Sequence, residues 1–72
     1  MGKIRRSGYI FVWLLADHAP PHLHIFKNGK LICKWRLDLN IEMSGKASKH
    51  LKTTIETLKK EGHFMQLLEQ FK

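Results

Sequence analysis

Three of the chain's five histidines fall inside the string Asp17-His18-Ala19-Pro20-Pro21-His22-Leu23-His24. An imidazole titrates near neutral pH, so a histidine can take a proton from one atom and give it to another, or hold a metal ion when neutral. Two chemistries follow. In the first, His22 and His24 act as a proton-transfer pair with His18 assisting, and RNA supplies its own nucleophile, the 2′-hydroxyl, so that cleavage needs no cofactor. In the second, His18, His22 and His24, with Asp17 in reach, bind zinc or another divalent metal and leave one position open for water. With only six acidic residues in the chain, a two-metal nuclease is disfavoured, because carboxylates hold most of its ions.

These side chains need elements to aim them. Gly8 opens an aromatic and β-branched run over residues 9–15 that predicts a strand, and residues 16–21 predict a loop because Pro20 and Pro21 cannot donate to a sheet ladder. The Pro-Pro pair delivers the chain to His22 in a fixed direction. Residues 22–26 and 31–37 flank Lys27-Asn28-Gly29-Lys30, a strong hairpin signal. His22 and His24, two apart on a strand, then leave the same face about 7 Å apart.

The hairpin's register decides which face that is. A two-residue turn at Asn28-Gly29 pairs His24 with Cys33 and puts both histidines among Leu31, Cys33 and Trp35. A three-residue turn, Lys27-Asn28-Gly29, puts Leu23 and Ile25 with Leu31, Cys33, Trp35 and Leu37, and leaves His22, His24, Lys34 and Arg36 on the other face. The second register separates apolar from polar at every position but Phe26 and Ile32 and is the expected one. It makes Lys34 and Arg36 phosphate holders beside the histidines. Trp13 and Trp35 are assigned to the core.

Downstream, Leu51, Ile55 and Leu58 recur at helical spacing, with Ser48 as N-cap, Lys59 and Lys60 in the last turn and Gly62 as the stop. Phe64, Leu67, Leu68 and Phe71 predict a second short helix. The expected fold is α+β, a three-stranded antiparallel sheet with two C-terminal helices on one face (β-β-β-α-α), in one domain over residues 1–72. Lys46, Lys49 and Lys52 crowd the start of the first helix, where its dipole disfavours cations. Together with Lys3, Arg5 and Arg6 they would form a phosphate pocket. His50 and His63, alone on helices, are given no role.

Thirteen Lys and Arg against six Asp and Glu give a net charge of +7, which favours an anionic partner such as RNA or an acidic protein. A chain of 72 residues builds a core worth few kcal/mol and calls for support from a metal, a partner subunit or a homo-oligomer. The single cysteine excludes an intrachain disulfide and suits a reducing cytoplasm. The longest apolar run, residues 9–16, is far short of the roughly 20 residues that span a bilayer, and no targeting signal is legible. A third class therefore stands beside RNA and metal: an interaction protein whose open sheet edge pairs with a partner chain.

Ser7-Gly8-Tyr9, Asp17-His18, Pro20-Pro21-His22-Leu23-His24 and Lys34-Trp35-Arg36-Leu37-Asp38, with Ser48 opening a helix, resemble the bacterial domain-of-unknown-function 4160 family. The likeness runs through nearly the whole chain and is most specific at D-H-x-P-P-H-x-H. It departs at Leu39-Asn40-Ile41-Glu42, where the family carries a proline-containing stretch. The resemblance implies a small cytosolic component of a toxin–antitoxin pair, and a basic toxin neutralised by an acidic antitoxin agrees with the charge.

Overall fold

A computed structural model of the chain describes residues 2–13 and 21–70. The elements are β1 (Gly2–Arg6), β2 (Tyr9–Trp13), β3 (His22–Lys27), β4 (Lys30–Arg36), β5 (Ile41–Gly45), α1 (Lys49–Lys60) and α2 (Met65–Gln70). The fold is α+β, an antiparallel sheet followed by two helices, as the patterning predicts. The sheet has five strands in the order β1-β2-β3-β4-β5, not three.

Both extra strands are edge strands. β1 follows from the Ser7-Gly8 turn: Arg6 pairs with Tyr9, and Ser7 and Gly8 take φ of 56° and 81°, the left-handed geometry of a tight hairpin. Its three cations and single apolar side chain, Ile4, read as a basic tail, although charges on an edge strand are a common guard against unwanted pairing. β5 alternates Ile41-Glu42-Met43-Ser44 yet leaves Ile41 and Met43 exposed, so no buried stripe announces it. The predicted first strand is described as β2 over residues 9–13, and Leu14, Leu15 and the predicted loop as far as Pro20 lie outside the described residues.

One face of the sheet carries the core. Tyr9, Phe11, Leu23, Ile25, Cys33, Trp35 and Leu37 are buried against Leu51, Ile55 and Leu58 of α1 and Phe64 and Leu67. Trp13 packs half-buried, edge-on to Phe64 with ring centroids 5.1 Å apart. α1 begins where expected, the Ser48 hydroxyl accepting from the Leu51 N–H at 3.1 Å, and ends at Lys60 with Glu61 as C-cap. Lys59 donates to the Leu37 carbonyl and to Asn40, fastening the helix end to the turn between β4 and β5. At the other edge Arg6 donates twice to the Glu61 carboxylate, which also meets His63 at 2.9 Å. Phe71, expected on the second helix, lies outside the described residues. Among the described residues no helix is long and apolar enough to cross a membrane.

Candidate nucleic-acid interface

β3 places the two histidines. Pro21, just before it, is buried, and its carbonyl accepts from the Leu37 N–H at 3.0 Å, so the strand starts from an anchored point. Leu23 and Ile25 turn into the core, and His22, His24 and Phe26, half-buried, turn to the face away from the helices. Across the ladder His22 opposes Arg36 and His24 opposes Lys34. Side chains directly opposite one another stand about 5 Å apart at Cβ, so each histidine has a cation as its cross-strand neighbour.

The expected face is therefore the observed one, but the chain reaches it differently. Lys27 pairs with Lys30, so the turn is the two-residue Asn28-Gly29 type, with φ of 53° and 77°. Parity is restored by a bulge on β4, where the pairing skips from Phe26–Leu31 to Ile25–Cys33 and leaves Ile32 as the extra residue. The bulge moves Leu31 off the apolar stripe, contrary to expectation, and leaves it 48% exposed. Ile32, by contrast, packs half-buried against the core.

The imidazole centroids lie 5.0 Å apart with the rings tilted by 48°, closer than the strand repeat alone gives. Two imidazoles at that spacing can act on one phosphate or share one metal ion. The third ligand of the metal reading, His18, and Asp17 beside it, lie outside the described residues. Among the described residues no group of three metal-ligating side chains forms.

The cations sort into different places. Arg36 is engaged: its Nε and Nη2 donate to the two carboxylate oxygens of Asp38 at 2.9 and 2.6 Å. That fork raises the Arg36 pKa and lowers that of Asp38. Lys34 makes no ion pair among the described residues and is the cation best placed to receive an anion next to His24. On β1, Lys3 and Arg5 oppose Val12 and Ile10 and share the face away from the helices, but Arg6 turns to the helix side and is held by Glu61.

The cations expected to share one phosphate pocket divide between the two faces of the sheet: Lys3 and Arg5 lie on the face away from the helices, and Arg6 is held by Glu61 on the helix side. Lys52 instead lies 4.0 Å from Glu42, and Lys46 and Lys49 sit exposed near the start of α1, which packs on the opposite face of the sheet.

Two buried groups bear on other chemistries. Burial pushes the Cys33 thiol upward, away from the thiolate a nucleophile needs. Trp35 is part of the core, and its indole N–H is buried without an acceptor among the described residues. Asp38, as the partner that occupies Arg36, is the site residue sequence reasoning missed, although Arg-x-Asp at the end of a predicted strand was a signal for it.

Comparison of the chain with protein-family models, with curated proteins and with solved structures found no match.

Proposed function

We propose that the chain is a toxin-like component of a bacterial toxin–antitoxin pair that binds or cleaves RNA on the sheet face away from the helices. The observation that carries this reading is the β3–β4 register, which sets His22 and His24 opposite Arg36 and Lys34 on the face the helices leave uncovered. One imidazole takes the proton of the 2′-hydroxyl as its oxygen bonds to phosphorus. The other gives a proton to the departing 5′-oxygen, leaving a cyclic phosphate and a 5′-hydroxyl. Lys34 stabilises the charge that builds on the phosphoryl oxygens. His18 is the assisting group of this proposal, and the chain's single cysteine fits action in the cytoplasm.

The test uses protein prepared without a histidine tag, assayed on RNA in the presence of a chelator. Cleavage should fall by about 10²-fold or more in His22→Ala and in His24→Ala. RNA binding should weaken in Lys34→Ala. If the native protein neither binds nor cleaves RNA, and His22→Ala leaves growth arrest on expression unchanged, the reading fails. Stoichiometric zinc lost in the double histidine variant would replace it with the metal-binding reading.

A second reading, as a protein-interaction module, is favoured by the outer strand. Leu39, Ile41 and Met43 are 55%, 49% and 43% exposed on and just before β5. Such an edge can add a strand from an acidic partner or from a second copy.

A further inference from the structure

Phe26 is the aromatic side chain on the face of His22 and His24, where it stands among the aliphatic Ile10, Val12 and Leu31. Ile32 is accounted for by the bulge and packs against the core. Phe26 does not join that core. It lies half-buried on the same face as His22 and His24, one strand step beyond His24, between Ile10 on β2 and Leu31 on β4.

We infer that Phe26 is a base-stacking platform and that the substrate of this face is single-stranded RNA laid along β3; the inference rests on the RNA reading of the same face. Alternate residues of a strand repeat at about 7 Å, close to the spacing of successive phosphates in an extended single strand. A base resting on Phe26 therefore brings the adjoining phosphodiester over the histidine pair, within reach of Lys34. The two imidazoles, with centroids 5.0 Å apart, leave no room for a base between them, which needs two stacking layers or roughly 7 Å. The histidines are thus kept for the phosphate and the phenyl ring for the base. Stacking requires a base with a free face, which a duplex denies and a single strand offers. Lys3 and Arg5, across β2 on the same face, supply positive potential along the strand's other flank.

The experiment measures binding of a short single-stranded RNA, and of the same sequence annealed to its complement, to the native chain and to Phe26→Leu, Phe26→Tyr and Lys34→Ala. Thermal unfolding of each variant runs alongside. Leucine keeps the apolar volume and removes the flat ring, so Phe26→Leu should fold and lose roughly 5- to 100-fold in single-strand affinity. Phe26→Tyr should keep it, and the duplex should bind more weakly than the single strand. Equal binding of duplex and single strand, or equal affinity of Phe26→Leu and the native chain, overturns the stacking inference while the RNA reading stands if Lys34→Ala still weakens binding. Binding of neither RNA overturns both.

Discussion

Gly45 is the position where the geometry behind the site can be tested by a single methyl group. It ends β5 with φ of 73°, and a Cβ built on it would lie 2.2 Å from the Ile32 carbonyl oxygen and 3.1 Å from the Cys33 Cα. Ile32 is the bulge residue that sends Lys34 and Arg36 to the histidine face, so Gly45→Ala presses on the device that sets the register. Gly29 is the control. Its φ is 77°, and a Cβ there would meet nothing within 4 Å. Gly29→Ala therefore measures the left-handed backbone cost alone, about 1 kcal/mol. Gly45→Ala adds a contact about 1 Å too short against backbone atoms that can yield only by moving a strand, for a total of about 3 kcal/mol. For a domain of this size that converts to roughly 4–8 °C for Gly29→Ala and 12–24 °C for Gly45→Ala in the unfolding midpoint. The assay is thermal unfolding by circular dichroism. If Gly45→Ala is no less stable than Gly29→Ala, β5 does not sit on Ile32, and the bulge that orients Lys34 and Arg36 is wrong.

Three further outcomes follow. The Glu61 carboxyl is held down to about 2 by its hydrogen bonds from Arg6 and His63, below its ordinary 4.5, so its contribution is full above pH 4.5 and is lost as pH falls toward 2; the unfolding midpoint of Glu61→Gln should vary less across that window than that of the native chain. Asp38→Asn should release Arg36 to the face away from the helices, tightening RNA binding and steepening its salt dependence by about one counterion, whereas unchanged affinity would mean that Arg36 does not reach the ligand. Ser48→Ala should cost about 1 kcal/mol by leaving the Leu51 N–H without its cap, seen as a lower denaturation midpoint with an unchanged slope.

Elements with a buried stripe were legible in the sequence, and those without one were not. Leu51, Ile55 and Leu58 announce α1 because each is buried against the sheet, and Leu23 and Ile25 announce β3 for the same reason. β1 and β5 escaped because each is paired on one side only and shows charge or exposed apolar groups where a central strand shows alternation. The face of His22 and His24 followed from separating apolar from polar positions, which constrains parity. It does not constrain how parity is reached, and a tight turn with a bulge at Ile32 satisfies it as well as an odd turn does. Arg36 shows a further limit of reading faces. It stands on the predicted face, but its guanidinium is taken up by Asp38, a pairing that no face periodicity encodes.

On the proposed function, the sheet face away from the helices, and not the helical side, would meet RNA. The decisive measurement is a titration of short single-stranded RNA into isotope-labelled protein, followed through the backbone amide resonances. Shifts are expected along β3 at His22, His24 and Phe26 and on β4 at Lys34, with α1 and α2 unmoved. Shifts confined to the Lys49–Lys60 helix, or none at saturating RNA, would contradict the proposed function.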